Sequence, residues 1–162
     1  FRALGVPQKR QRLLAGSPAL IRRMQRLVLE RRPRTIRDVI ASPRGTHIKN
    51  SKTWCSQRPR LNRKPGESKY IYERGAIEDN CTPISEVGPT VCTRGLWWVT
   101  IRGGELPTER LLLNNAELAA LQTFPQTYKW PKNVTHATVQ IGNSVPPLVS
   151  QLMMHKEAHP RV

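Results

Sequence analysis

Gln140-Ile141-Gly142-Asn143-Ser144-Val145-Pro146-Pro147 is the stretch on which the reading of this 162-residue chain turns. Gly142-Asn143 reads as an opening of the chain, and Asn143 or Ser144 as the cap that initiates a helix. Pro146 and Pro147 suit the first turn of that helix, where a missing N–H removes no intrahelical bond. Leu148, Val149, Leu152 and Met153 give it an apolar face. Upstream, Asn114 or Asn115 caps a second short helix over residues 116–122, which ends before Pro125. Further upstream, Tyr70-Ile71-Tyr72 and Leu96-Trp97-Trp98-Val99-Thr100-Ile101 are aromatic and β-branched, are bounded by turn residues and predict strands. Gly103-Gly104 reads as a turn.

The other end of the chain has a different texture. Gly5-Val6-Pro7-Gln8-Lys9-Arg10-Gln11-Arg12 is a loop, and Leu13-Leu14-Ala15-Gly16 fits a short strand. Ser17 stands as an N-cap with Pro18 at the first helical position. Leu20, Ile21, Met24, Leu27 and Val28 then follow at helical spacing, with Arg22, Arg23 and Arg26 on the opposite face. Pro33 stops this helix after Arg31 and Arg32, cations that suit its last turn. Residues 43–69 form a long basic loop punctuated by Pro43, Gly45, Pro59, Pro65 and Gly66.

Charge narrows the function classes. Lys and Arg number 27 against 11 Asp and Glu, a formal charge of +16, with a sequence pI of about 11.1. Residues 1–81 hold 20 Lys and Arg against 6 acidic residues, whereas residues 82–162 hold 7 against 5. A one-sided basic excess is the footprint of a polyanion, most often nucleic acid. An anionic membrane surface fits less well, because no amphipathic segment has a large enough apolar face. No run approaches the roughly 20 apolar residues of a membrane span. Cys55, Cys81 and Cys92 are odd in number and lack a C-x-x-C pair, which argues against a disulfide framework and a zinc finger. His155 and His159 lie four apart with no third ligand nearby, so no metal is expected. The length suits one ordinary domain, or one and a half small ones, and the opening on Phe1 suggests numbering that starts inside a longer product or after processing.

Three segments together resemble the C-terminal part of the DNA cytosine-5 methyltransferase family. Gly5–Arg12 matches its motif VIII, G-V-P-Q-x-R-x-R. Residues 113–125, with Glu117, Ala119, Leu121, Gln122, Phe124 and Pro125, follow the spacing of motif IX. Gln140–Pro147 is close to motif X residue for residue. Pro89-Thr90-Val91 and Thr93-Arg94-Gly95 resemble the element near the end of the family's variable recognition region. The order of the segments is the family's own. Two arginines usual in motif IX are replaced here by Leu111 and Ala116, positions that brace the recognition region. The family's Pro-Cys nucleophile, its E-N-V glutamate and its glycine-rich donor loop are not in this sequence.

The resemblance implies a chemistry. A cytosine is flipped out of duplex DNA, a thiolate attacks C6, and C5 becomes nucleophilic enough to take a methyl group from S-adenosylmethionine. By position in motif VIII, Arg12 would stabilise the developing charge near the pyrimidine O2, Arg10 would hold the glutamate of the other half, and Gln8 would shape the loop. Asn143, Ser144 and Val145 would touch the methyl donor. Thr90, Thr93 and Arg94 are the candidates for reading bases, and Lys49, Lys52, Arg58, Arg60, Arg63 and Lys64 for phosphate contacts. Trp97 and Trp98 face opposite ways on a strand, one toward the core and the other toward DNA or a partner.

The expected fold is α/β: a partial doubly wound S-adenosylmethionine-dependent methyltransferase domain plus a small, mostly β target-recognition domain. Residues 1–42 would be the C-terminal part of the catalytic domain, 43–128 the recognition domain with motif IX at its end, and 129–162 the motif X segment returning to the catalytic domain. The expected partners are double-stranded DNA and an N-terminal half or second subunit carrying the catalytic cysteine, with no membrane. The expected setting is cytoplasmic and nucleoid-associated, in a prokaryotic or phage-infected cell. The rival readings are a non-catalytic DNA-binding module derived from such an enzyme and, further off, a structural basic protein.

Overall fold

The aromatic run at 96–101 lies in the middle of an antiparallel sheet. In the computed structural model, which describes residues 2–47, 68–73, 81–101 and 107–154, five strands are seen: β1 (Thr46–His47), β2 (Lys69–Glu73), β3 (Cys81–Pro83), β4 (Leu96–Ile101) and β5 (Pro107–Leu112). Their order is β1-β5-β4-β2-β3, and each neighbouring pair is antiparallel. β4 pairs on both sides, with Ile71 opposite Trp98 and Leu111 opposite Trp98 on the other flank. The residues facing one way, Ile71, Leu96, Trp98 and Leu111, enter the main core with Ile36, Val91, Leu118, Leu121 and Ile141. Tyr70, Trp97 and Val99, which face the other way, are buried as well. Both tryptophans are therefore covered by the chain itself, at 6% exposure for Trp97 and 1% for Trp98. The expectation that one of them leans outward on DNA or a partner is corrected: a central strand covered on both faces leaves neither ring accessible.

Five segments turn helical among the described residues. Arg2–Leu4 is a single 3-10 turn, and α1 spans Pro18–Glu30. Ser17 caps α1 by accepting from the Leu20 N–H at 3.3 Å, with Pro18 at the first position. Met24 is buried, while Val28 is 40% exposed. The helix ends at Glu30 with Arg31 already extended, so Arg31 and Arg32 lie beyond the last turn rather than in it. Pro33 pushes the residue before it, Arg32, out of the helical region, and Arg31 is extended as well. Leu13–Gly16 forms no strand; Leu13 is 96% exposed, and the segment has no strand to pair with among the described residues.

α2 (Asn115–Leu121) carries a capping box: Asn114 accepts from the Glu117 N–H, and the Glu117 carboxylate accepts from the Asn114 N–H at 2.8 Å and from the Arg44 N–H. α3 spans Val134–Asn143, capped by Asn133, and α4 spans Pro147–Met154. Gly142 and Asn143 thus close one helix rather than open the next, and Ser144 is the C-cap of α3. α3 is rich in Val and Thr, poor helix formers, and its stability comes from the buried Ala137 and Ile141, four apart on one face. Leu4, Val6 and Met24 meet Val149 and Leu152 in a second apolar cluster, and Arg23 donates to the Leu152 carbonyl at 2.6 Å. No described helix is long and apolar enough to cross a membrane.

Candidate functional site

The loop at 5–12 crosses the molecule between the segments that follow β3 and the ends of α2 and α3. Backbone bonds fix it: Lys9 N–H donates to the Gly88 carbonyl at 2.7 Å and Gly88 N–H to the Pro7 carbonyl at 3.1 Å, so Gln8 and Gly88 form an isolated parallel bridge. At Gly88 a Cβ would come within 3.1 Å of both Pro7 O and the Ile36 side chain. A side chain there would have to push these neighbours back by a few tenths of an ångström, so glycine suits the close approach of the two backbones.

Gln8 is fully buried and makes three bonds. Its Nε2 donates to Gln122 Oε1 at 2.7 Å and to the Leu121 carbonyl at 3.3 Å, and its Oε1 accepts from the Val91 N–H at 2.9 Å. Gln122, also fully buried, passes the chain on by donating to the Ile141 carbonyl at 2.7 Å. Two residues along the loop, Arg10 is 4% exposed and donates to the Gly142 carbonyl at 2.9 Å and the Val91 carbonyl at 3.2 Å. Burial first, and then the neighbouring charge of Arg12, pushes the Arg10 guanidinium below its ordinary pKa. Gly142 also packs directly on the chain at 92–93, where a Cβ would sit 2.5 Å from the Cys92 carbonyl carbon and the Thr93 nitrogen. Two buried glutamines and one buried arginine therefore tie 5–12, 88–93, 115–122 and 141–142 into one junction. Both glutamines and two carbonyls reached by Arg10 are hydrogen-bonded across the junction, while the Arg10 Nε is not, among the described residues; buried bonds of this kind couple the segments they join.

A family model of C-5 cytosine-specific DNA methylases matches residues 1–157, which include all four of these segments. The chain belongs to that family. No curated protein and no solved structure matches it. Cytosine-5 DNA methylases transfer a methyl group from S-adenosylmethionine, so methyltransferase function on DNA is the activity the family carries.

On this methylase chain the predicted site residues sort by exposure. Gln8 and Arg10 are interior; Arg12 is exposed, its Nη1 donating to the adjacent Gln11 carbonyl at 2.7 Å. Thr90 is half-buried and spends its hydroxyl proton on the Lys9 carbonyl at 2.8 Å. Thr93 and Arg94 are exposed at the tip of a turn closed by a Gly95 N–H bond to the Cys92 carbonyl, with Gly95 at φ +76°. They border a groove of about 590 Å³ whose other walls include Leu112, Asn115, Val134 and Thr138. Lys49, Lys52, Arg58, Arg60, Arg63 and Lys64 lie outside the described residues, as do Cys55, Gly103, Gly104, His155 and His159.

The residues assigned to the methyl donor form the link between α3 and α4. Asn143 is exposed, and Val145 leaves an apolar side chain 53% exposed. Ser144 donates its hydroxyl to the Ile141 carbonyl at 2.7 Å, which leaves its oxygen able to accept. The turn thus presents one polar, one accepting and one apolar side chain. Among the described residues no cluster of His, Cys, Asp or Glu could hold a metal ion. The partnership of Gln8 with Gln122 was not foreseen. Gln122 stands out in the sequence only as part of the motif IX pattern; its full burial and its bonds to Gln8 and Ile141 reveal what it holds.

Proposed function

We propose that this chain is the C-terminal portion of a DNA cytosine-5 methyltransferase, completed by an N-terminal half or second subunit that carries the nucleophilic cysteine. The observation that carries the reading is the junction in which Arg10 holds the Val91 and Gly142 carbonyls at once. Each bonded segment is next in sequence to a candidate group, which supports the reading: Arg12 two residues after Arg10, the turn Thr93-Arg94 after Val91, and Asn143–Val145 after Gly142. In this reading Arg10 and Gln8 are positioning residues. Arg12, solvent-facing and always charged, is the group that meets the flipped cytosine. Thr93 and Arg94 read base edges, with the Arg suited to guanine O6 and N7. The basic residues between 49 and 64 hold phosphates, and S-adenosylmethionine, which supplies the methyl group when bound, would lie against Asn143, Ser144 and Val145.

The architecture fits the same proposal. The antiparallel sheet with β1–β5 serves as the recognition region within 43–128. Residues 1–42 and 129–162, which share the second apolar cluster, belong to a doubly wound catalytic domain. The Leu13–Gly16 segment, exposed except at Leu14, would then pair as a strand in the sheet of the other half. A second reading, a DNA-binding module without chemistry, draws on one observation: none of Cys55, Cys81 or Cys92 follows a proline. The test mixes the chain with a polypeptide bearing the Pro-Cys, E-N-V and donor-loop motifs and measures methyl transfer to duplex DNA. Transfer by the mixture supports the enzyme, and Arg12→Ala should abolish it while keeping most DNA binding. DNA binding with no transfer supports the module. Full activity of Arg12→Ala would refute the role given to Arg12.

A further inference from the structure

Thr123 has the one non-glycine positive φ among the described residues, at 66°. It follows the end of α2, where the Thr123 N–H donates to the Ala120 carbonyl and the Phe124 N–H to the Ala119 carbonyl, both at 2.9 Å. This pair of bonds is the Schellman ending of a helix, and its left-handed position normally belongs to glycine. A β-branched residue fits poorly there, because its Cβ crowds the backbone. An outlier of this kind persists only where the surroundings hold it and points toward function.

What Thr123 does with the strained position is visible at a neighbouring helix. Its Oγ1 accepts from the Leu148 N–H at 3.2 Å. Leu148 is the second residue of α4, and helix starts leave such N–H groups without intrahelical partners. The acceptor does not come from the local chain. Pro146 and Pro147 have no side-chain oxygen, and the Ser144 oxygen, though able to accept, is turned to Ile141 and is not the partner of this N–H. The Val149 and Ser150 N–H groups return to the Pro146 carbonyl, so the Leu148 donor is met from outside, 25 residues earlier in sequence.

We infer that Thr123 is a positioning residue: its hydroxyl caps α4 from the end of α2 and so fixes the Asn143–Val145 turn. The Leu148 side chain is also the nearest neighbour of Gly5, at 3.7 Å from the position of a Cβ there. The same clamp therefore reaches the start of the 5–12 loop. The consequence for methyl-donor binding rests on the function proposed above; the capping itself does not.

Three variants separate hydroxyl from backbone. Thr123→Ser keeps the hydroxyl, Thr123→Val keeps the branched shape without it, and Thr123→Gly removes the hydroxyl while relieving the positive φ. Amide hydrogen exchange on the full chain should show Val145 and Leu148 exchanging about fivefold faster in the Val and Gly variants, with the Ser variant like wild type. In the completed methyltransferase the same two variants should raise KM for S-adenosylmethionine by about the same factor, with kcat unchanged and the Ser variant restoring it. Wild-type exchange in both Val and Gly variants would overturn the inference, as would an unchanged KM in an active enzyme. If the wild-type mixture transfers no methyl group, the functional reading fails, and exchange at Val145 and Leu148 still decides the clamp.

Discussion

Replacing Gln8 by Leu tests the junction most directly, because the side chains are close in volume and the change is almost wholly one of hydrogen bonding. Gln8→Leu leaves the Val91 N–H, the Gln122 Oε1 and the Leu121 carbonyl without the partner each now has. A buried group left unsatisfied costs about 1–3 kcal/mol. The Leu121 bond is the longest at 3.3 Å and contributes least. The sum is about 3–5 kcal/mol, a large share of the roughly 5–15 kcal/mol that holds a domain folded. Urea denaturation gives the loss as a lower midpoint at unchanged slope. The exposed Gln126→Leu is the control and should shift stability by no more than about 0.5 kcal/mol. The double variant Gln8→Leu with Gln122→Leu adds the sharper criterion. Once Gln122 Oε1 is gone it can no longer be stranded, so the pair should cost about 1–2 kcal/mol less than the sum of the singles. A Gln8→Leu loss below about 0.5 kcal/mol, or additivity within about 0.3 kcal/mol, would refute the coupling.

Gly142→Ala should destabilise by at least about 1–3 kcal/mol, because the new methyl meets backbone at 92–93 rather than a movable side chain; a thermal midpoint equal to wild type would contradict the close approach. Leu13→Ser should leave the stability of the chain within about 0.5 kcal/mol, since Leu13 is 96% exposed, yet weaken association with the completing polypeptide; equal affinity by calorimetry would count against docking through 13–16. Asp38 Oδ2 accepts from the Thr35 N–H at 2.7 Å and the Thr35 hydroxyl at 2.9 Å. These bonds hold its carboxyl below the usual carboxylate pKa. The turn is therefore secured at neutral pH and released as the pH falls through the lowered value. Thr35 amide exchange should follow that course, and Asp38→Asn should flatten it.

Much of the fold was legible where a single local rule decided it. Ser17-Pro18 announced α1, an Asn at 114 or 115 announced α2, and the aromatic and β-branched runs announced β2 and β4; that Asn114 is the cap and Glu117 closes its box is seen only in the structure. Elements whose stability is tertiary were not legible. The sequence Val134–Asn143 is β-branched and becomes a helix because Ala137 and Ile141 find the core. β3 is three residues long, and β5 carries Glu109 and Arg110 in its middle. The 13–16 segment had strand composition but no neighbour to pair with. At the site, the order of motifs told which segments belong together. It could not tell that Gln8 and Gln122 meet, since they are 114 residues apart, nor that Thr93 and Arg94 stay exposed while Thr90 turns inward.

The cluster in which Leu4, Val6 and Met24 pack on Val149 and Leu152 makes the polypeptide a loop closed on itself by apolar contact. The direction in which the segments are strung is thus separable from how they pack. A circularly permuted version, joined by a flexible linker across that seam and opened at the exposed Gln126-Thr127, would keep every hydrogen bond of the junction. Such a rearrangement would put the 140–147 turn ahead of the 5–12 loop in the order of synthesis while leaving the two where they now meet in space.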